Sequence, residues 1–296
     1  MQDKIKIVVH SGHFHTDDVF AVATLMLVLD GKEIEILRSR DKDVIEKGDY
    51  VVDVGGVYDA DKNLFDHHQV GGAGTRDNGV PYASFGLVWK KYGEQISGSK
   101  EVSDSIDSSL VQFIDCIDNG VQVSKPVQES VQLYDITDVF EAFNPSWTED
   151  ANGDEAFIDM ANMAKRVIKR EVVRNQGKIK AKNIVEELYA NTPDKRLIVL
   201  DKYCPYNETL KKYTEPLLVV FPGIQENDWR AMFVRDNKED FVYRKYFPSE
   251  WGGKNDKELE VICGVEGATF CHRSCHLAGA KTKKAIIEMA QIALDN

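Results

Sequence analysis

Four short segments of the sequence concentrate histidine and aspartate. The first, HSGHFHTDD, begins at His10, and the second, VVDVGG, places Asp53 before two glycines. The third is FDHHQ, and the fourth is IDCIDNG, which contains Asp115 and Asp118. Mixed carboxylate and imidazole ligands suit Mn, Fe, Co or Zn, whereas all-oxygen sites favour Mg or Ca. The four segments together therefore predict a site for divalent metal ions.

Metal ions in such a site indicate phosphoryl chemistry. A pair of divalent ions lowers the pKa of a shared water and stabilises both the attacking and the leaving oxygen of an in-line displacement. Each segment alone also has an ordinary structural explanation, since Asp53 could be a turn or capping residue and Asp118-Asn119-Gly120 is a turn signal. Their joint occurrence at element ends favours the metal site over these explanations.

The segments follow elements that could bring them together. The first half of the chain alternates apolar runs of strand length with helical stretches, and this rhythm predicts a parallel sheet with helices on both faces. In such sheets, ligands bind where strands end and loops begin. The predicted strands cover residues 5–10, 33–37, 50–54 and 63–66, and the predicted helices cover residues 18–29, 83–92 and 103–118.

The second half of the chain predicts a smaller α+β domain. Turn-forming residues at 144–153 indicate a boundary, so we expect a catalytic domain at 1–150 and a helical connector with a C-terminal domain at 151–296. The connector helix should span residues 155–189, with a break near Gly177. Further strands are predicted at 196–200, 217–221, 230–234, 260–265 and 267–272, and a closing helix at 282–294.

Composition narrows the class of protein. The net charge of -12 argues against a protein that coats duplex nucleic acid, although it leaves room for short or single-stranded substrates. The five scattered cysteines make no disulfide framework. No apolar run reaches membrane-spanning length, and neither a signal peptide nor a mitochondrial presequence is visible. We therefore expect a cytoplasmic or nuclear protein without a membrane partner.

The ordered motifs resemble the DHH phosphoesterase superfamily and, within it, the melanocyte-proliferating-gene family. The resemblance covers nearly the whole chain and rests on HSGxFHxDD, VVDVGGVYD, FDHHQ, PYASFGLVWKKYG, IDCIDNG, FNPSW, WRAMFV and FxHxS. It implies a DHH-type parallel-sheet N-terminal domain that holds two Mn²⁺ ions, with Mg²⁺, Co²⁺ or Zn²⁺ as alternatives, and a C-terminal domain that closes over substrate. It also implies a 3′-5′ exonuclease that hydrolyses single-stranded RNA or short oligonucleotides through a two-metal-activated water.

The resemblance also implies roles for individual residues. Asp53 would bridge the two ions, as one of six metal ligands: His10, His15, Asp17, Asp53, His67 and Asp118. The catalytic set would be Asp53, His68 and Asp66, in which His68 contacts phosphate and Asp66 orients a histidine. Asp18 is either a third carboxylate of the first motif or a helix-start residue, and His13 is expected to be a bystander.

The C-terminal motif CHRSCHLAG departs from the family pattern. Cys275-His276 stands where the family would have glycine and an aromatic residue. Two cysteines and two histidines there would suggest zinc, but four ligands within six residues rarely close a tetrahedron. We therefore expect the family's substrate contacts to be kept, namely His272, Arg273 and Ser274.

Two other functions are compatible with these motifs. The same site could hydrolyse a small substrate such as pyrophosphate, polyphosphate or a dinucleotide, and the acidic net charge favours that reading. A non-catalytic metal-binding scaffold is the second alternative.

The stretch from Lys165 to Lys182 carries eight Lys and Arg residues against the single acid Glu171, and could track an RNA backbone or form a solvated helix face.

Overall fold

The computed structural model describes residues 4–128, 130–236 and 242–296. They form a mixed α/β protein with two five-stranded sheets. The chain divides into two compact units, Met1–Gln176 and Gly177–Asn296. This division lies within the long helix α7, Gly153–Asn191. The functional domains predicted at residues 1–150 and 151–296 are a different division and stay a prediction.

The sheet of the first unit has the strand order β2-β1-β3-β5-β4. Its strands are β1 (Ile5–Val9), β2 (Ile34–Arg38), β3 (Tyr50–Val52), β4 (Tyr58–Asp59) and β5 (Leu64–Phe65). The four strands predicted from apolar runs are present and mutually parallel. The unpredicted edge strand β4 runs antiparallel to β5, so the sheet is mixed rather than wholly parallel. With two residues, β4 is too short to show a strand pattern.

Helices pack against this sheet and against one another. They are α1 (Thr16–Val28), α2 (Lys42–Ile45), α3 (Ser84–Ser97), α4 (Lys100–Ile106), α5 (Gln112–Asp118) and α6 (Ile136–Glu141). A π-helical turn, Asp107–Val111, joins α4 to α5. The first ten residues of α1 are buried, as its apolar composition predicts. Phe20 of α1 packs against Phe85 of α3 and Phe140 of α6, with ring centroids 5.2 and 4.9 Å away.

The sheet of the second unit has the order β6-β7-β8-β10-β9. Its strands are β6 (Leu197–Val199), β7 (Leu218–Pro222), β8 (Trp229–Phe233), β9 (Ala268–Cys271) and β10 (Leu277–Ala280). Only β6 and β7 pair in parallel, so this sheet is also mixed. The helices of this unit include α8 (Asn207–Leu210), α9 (Asp256–Cys263) and α10 (Lys283–Asp295). Thr282 caps α10, because its side chain accepts a hydrogen bond from Ala285 N–H.

Two local predictions in the second half of the chain are wrong. The strand predicted at 260–265 falls largely on helix α9. Leu259 and Cys263 are buried while Val261 is 82% exposed, and an i, i+4 buried pair is the helical pattern. The break expected near Gly177 is also absent, because α7 runs unbroken through it. One glycine costs a helix only about 1 kcal/mol, and 39 helical residues outweigh that cost.

Within residues 4–128, 130–236 and 242–296, no helix combines the length that a membrane span requires with an apolar composition.

Candidate metal centre

Three of the histidine and aspartate segments begin at the carboxyl ends of neighbouring parallel strands. His10 directly follows β1, Asp53 follows β3 and Asp66 follows β5. Because β1, β3 and β5 are adjacent and parallel, their carboxyl ends meet at one edge of the sheet. Asp17 in the first turn of α1 and Asp118 at the end of α5 are the other carboxylates of the predicted ligand set.

The structure brings the six predicted metal ligands together. Three groups of side chains place possible ligand atoms within 4.8 Å of one another: His10, His15 and Asp53; Asp53, His67 and His68; and His15, Asp17 and Asp118. Asp53 belongs to two of these groups, and so does His15. These residues could therefore hold a metal ion, while the number of ions and the role of each ligand stay predictions.

Asp53 occupies the centre of this arrangement. Its Oδ2 lies 3.3 Å from His10 Nε2, and its Oδ1 lies 3.3 Å from His67 Nε2. The backbone of Asp53 has a φ of 54°, in the left-handed region that costs non-glycine residues energy. The two oxygens of one buried carboxylate thus face two different histidines.

Buried polar atoms without hydrogen bonds show that the site suits a cation. His10 Nε2, His67 Nε2, Asp17 Oδ1 and both carboxylate oxygens of Asp18 are buried and make no hydrogen bond. This holds although His10 Nε2 lies 2.8 Å from Asp18 Oδ2 and His67 Nε2 lies 3.0 Å from Asp118 Oδ2. Each unsatisfied buried group costs about 1–3 kcal/mol. Divalent ions among these nitrogen and oxygen atoms would satisfy them, so the donor set fits the implied metal.

The charges of the site are strongly coupled. Burial lowers the pKa of His10 and of His67, but the aspartates beside each ring outweigh burial and raise each pKa to about 10. Burial raises the pKa of Asp17 well above its usual value, and the charges of Asp53 and Asp118 add to that increase. The aspartates of the site therefore favour positive charge at its centre.

The first turn of α3 contacts the site through Ser84. Ser84 Oγ donates a hydrogen bond to Asp53 Oδ1 at 2.8 Å, and Ser84 N–H donates to Asp17 Oδ2 at 3.2 Å. Sequence reasoning missed Ser84 as a site residue. The sequence did offer one indication, because Ser84 lies in PYASFGLVWKKYG, one of the motifs that carry the family resemblance. That motif contains no histidine or aspartate, so it was not considered as part of the site.

Asp66 contacts His68 rather than His67. Asp66 Oδ1 lies 2.8 Å from His68 Nδ1 and also accepts a hydrogen bond from His68 N–H at 3.0 Å. The side chain of His68 is 60% exposed, whereas that of His67 is 8% exposed. Asp66 is therefore placed to orient the solvent-facing histidine of the pair, and the phosphate contact predicted for His68 stays a prediction.

Two residues of the first motif differ in their surroundings. Asp18 is fully buried beside His10, so it is a further candidate ligand as well as a first-turn residue of α1. His13 is exposed, its ring stacks on Phe14, and it belongs to none of the three ligand groups. Asn144 holds this loop in place, because its side chain bonds both the N–H and the C=O of Phe14 at 2.9 Å.

Asp115 of the fourth motif contacts a helix and an arginine rather than the ligand groups. It is fully buried, accepts a hydrogen bond from Gly86 N–H at 2.9 Å and lies 2.8 Å from Arg76 Nη2. Arg76 also forms a forked ion pair with Asp107. Burial raises the pKa of Asp115 to about 7, although Arg76 opposes the shift. Asp115 therefore anchors α3 and is not part of the three ligand groups.

The predicted substrate contacts of the second unit share one turn. His272, Arg273 and Ser274 are exposed residues between β9 and β10, and Ser274 N–H donates to His272 Nδ1 at 3.2 Å. The next residue, Cys275, has a φ of 54°, a backbone conformation that glycine adopts more readily than other residues. No group of possible metal ligands in the described part of the chain includes the cysteines of this turn.

The fold and the site together define a mixed α/β protein with a histidine-aspartate centre that could hold metal ions. Residues 6–294 match the model of the family MYG1_exonuc, described as "Uncharacterised protein family (UPF0160)", and the chain belongs to this family.

Curated relatives support this membership over most of their length. The chain is 32% identical to the MYG1 protein of Dictyostelium discoideum, covering 97% of this chain and 95% of that protein. It is 30% identical to the MYG1 protein YER156C of Saccharomyces cerevisiae, over 98% of this chain and 95% of that one. It is 28% identical to the MYG1 exonuclease of Homo sapiens, covering 98% of this chain and 85% of the human protein.

Proposed function

We propose that this protein is a metal-dependent 3′-5′ exonuclease of the DHH superfamily that hydrolyses single-stranded RNA. The observation that carries the proposal is the set of three ligand groups joined through Asp53 and His15 at the carboxyl edge of a sheet. The name of the human relative, MYG1 exonuclease, supports a nuclease activity. RNA as substrate, the direction of cleavage and the superfamily rest on the motifs.

The proposed ligands are the six predicted residues, with Asp53 shared between two ions and Asp18 as a further carboxylate beside His10. Two Mn²⁺ ions, when bound, would supply an activated water and neutralise charge on the scissile phosphate. Imidazole and carboxylate donors in this ratio agree with Mn²⁺ better than with Mg²⁺, which prefers oxygen alone.

The chain's own side chains would orient and bind the substrate. Asp66 fixes the ring of His68, and the exposed ring can contact a non-bridging phosphate oxygen. One carboxylate oxygen of Asp53 orients His10 towards the centre, and the other oxygen orients His67. In the second unit, His272, Arg273 and Ser274 form an exposed polar turn suited to phosphate oxygens, since a guanidinium binds them bidentately.

The test is hydrolysis of 5′-labelled single-stranded RNA with added Mn²⁺. Wild type should produce a ladder of labelled products that shorten from the 3′ end, and Asp53→Ala and His67→Ala should each lose at least about 100-fold in rate, since both remove metal ligands. His13→Ala is the matched control, because this exposed histidine lies between β1 and α1 and outside the ligand groups.

Other outcomes would contradict parts of the proposal. Immediate release of a labelled mononucleotide would show cleavage from the 5′ end and contradict the proposed direction. Full activity of the Asp53 variant would contradict the proposed site. The net charge of -12 favours small substrates, so pyrophosphate and a dinucleotide should be assayed in parallel. Faster turnover of these than of RNA would support the small-substrate hydrolase, and Mn²⁺ binding without any hydrolysis would support a scaffold.

A further inference from the structure

Ser84 bonds two carboxylates that belong to different ligand groups. Its hydroxyl donates to Asp53 and its backbone N–H donates to Asp17. Asp53 contributes to the two groups that contain His10 and His67, and Asp17 contributes to the third. We infer that Ser84 is a positioning residue that couples the ligand groups by fixing both carboxylates relative to each other. This inference rests on the proposed function, because it concerns the same centre.

The hydroxyl bond determines how the Asp53 carboxylate is turned. Oδ1 receives the hydrogen bond from Ser84 at 2.8 Å and lies 3.3 Å from His67 Nε2. Holding Oδ1 in this position directs Oδ2 towards His10 Nε2, at 3.3 Å. Without the Ser84 hydroxyl, the carboxylate could rotate about its Cβ–Cγ bond, and its two oxygens would no longer be assigned to different histidines.

The backbone bond has a complementary effect on Asp17. Ser84 N–H occupies Asp17 Oδ2 and leaves Oδ1 buried without a hydrogen-bond partner, and therefore available to a cation. Ser84 is the first residue of the 14-residue helix α3, whose N-terminal N–H groups favour negative charge. One residue thus stabilises two buried carboxylates whose mutual repulsion would otherwise push them apart.

The position of Ser84 is set by contacts that contain no metal ligand. Two residues further along α3, Gly86 N–H donates to Asp115, and Asp115 is paired with Arg76. A Cβ on Gly86 would lie 1.9 Å from Asp115 Oδ2, so only glycine permits this approach. The first turn of α3 is therefore held by its own buried ion pair, and the two carboxylates are arranged before metal binds, which is the condition for a preorganised site.

The experiment measures Mn²⁺ binding to the metal-free protein by isothermal titration calorimetry, alongside kcat and KM on RNA. Ser84→Ala should bind Mn²⁺ roughly 10-fold or more weakly, the usual effect of removing a residue that orients metal ligands. Its kcat should fall while KM for RNA stays within about twofold, because the hydroxyl touches ligands rather than substrate. Ser97→Ala is the matched control, since Ser97 is a buried serine of the same helix whose hydroxyl has no hydrogen-bond partner among the described residues.

Two further variants separate the effect of the Ser84 hydroxyl on Mn²⁺ binding from the effect of side-chain packing. Ser84→Thr and Ser84→Val add the same bulk, but only threonine keeps a donor to Asp53, so the threonine variant should bind Mn²⁺ more tightly than the valine variant. Wild-type Mn²⁺ affinity in a folded Ser84→Ala protein, or equal affinities in the threonine and valine variants, would overturn the inference. So would a wild-type protein that binds no Mn²⁺.

The two proposals fail in different ways. If wild type binds Mn²⁺ but leaves RNA intact, the exonuclease proposal fails, and the order of Mn²⁺ affinities still decides the role of Ser84. If RNA is cleaved and Ser84→Ala keeps both the affinity and kcat of wild type, the positioning role fails and the exonuclease stands.

Discussion

At the residue scale, the two histidines of the DHH motif have different surroundings. His67 is buried between Asp53 and Asp118, whereas the exposed ring of His68 is held by Asp66. His67 and His68 belong to the same ligand group, but only the ring of His67 is enclosed by the protein. This difference does not follow from the sequence of the motif, because it depends on which carboxylate each ring reaches.

Asp66→Asn tests whether His68 acts on substrate rather than as an essential ligand. The change keeps the shape of the side chain but removes the charge that holds His68 Nδ1. We expect kcat on RNA to fall about 10- to 100-fold, while the number of bound Mn²⁺ ions stays the same. Calorimetry and steady-state kinetics measure the two effects. Asp61→Asn, at an exposed nearby carboxylate, is the control, and loss of a bound ion in the Asp66 variant would instead make His68 a ligand.

At the element scale, helix α3 connects the sheet edge that carries the ligand groups to the helical layer. Its N-terminal turn bonds Asp17, Asp53 and Asp115, which come from α1, the loop after β3 and α5. The continuous helical stretch α4 to α5, with its π-helical turn, places Asp107 and Asp115 on either side of Arg76. Site geometry and helix packing are therefore linked through one helix end.

Gly86→Ala should disrupt the contact between the first turn of α3 and Asp115. The added Cβ would lie 1.9 Å from Asp115 Oδ2 and 2.8 Å from Arg76 Nη2, so the buried ion pair must move. We expect the free energy of unfolding to fall by about 3 kcal/mol, from overpacking and a disrupted buried charge pair. Urea denaturation measures it.

Gly177→Ala is the matched control for that change. Gly177 lies inside helix α7, and a Cβ there meets no atom within 4 Å. Alanine should therefore stabilise the protein by about 0.5–1 kcal/mol through its better helix propensity. Equal effects of the two substitutions would show that the contact between Gly86 and Asp115 is unimportant.

At the scale of the whole molecule, we predict that the centre makes stability depend on metal. Buried carboxylates that carry no hydrogen bond destabilise the folded chain unless a cation is present. A ligand that binds only the folded state stabilises it by about 2.7 kcal/mol at 100 times its dissociation constant. The metal-free and metal-loaded proteins should therefore differ measurably in melting temperature.

Asp17→Asn should have opposite effects with and without Mn²⁺. Burial and the charges of three neighbouring carboxylates, Asp53, Asp118 and Asp18, hold the pKa of Asp17 well above its usual value, so its charge disfavours folding at neutral pH when no ion is present. In EDTA, the neutral variant should melt roughly 2–4 °C higher than wild type, equivalent to about 1 kcal/mol. In excess Mn²⁺ it should melt lower, because a ligand is lost. Calorimetric scans at pH 7.5 measure both, and a variant less stable than wild type in EDTA would contradict this account.

Much of the fold and the composition of the candidate site followed from the sequence alone. Apolar runs predicted the four parallel strands, because a strand buried on both faces is hydrophobic along its length. The resemblance carried by the histidine and aspartate segments implied six metal ligands, and the structure places all six in the three ligand groups. The family membership shown by residues 6–294 agrees with the same ordered motifs.

Tertiary structure alone decided the features that depend on contacts between distant residues. The edge strand β4 pairs only because β5 offers it a partner, and α9 is a helix because Leu259 and Cys263 are both buried. Within their motif, nothing in the sequence distinguishes Ser84 and Gly86 as important residues. In the structure, α3 places the N–H of Ser84 against Asp17, 67 residues away, and the N–H of Gly86 against Asp115, 29 residues away. Sequence periodicity reports which face of an element is apolar, whereas hydrogen bonds across the chain are formed only when the elements pack.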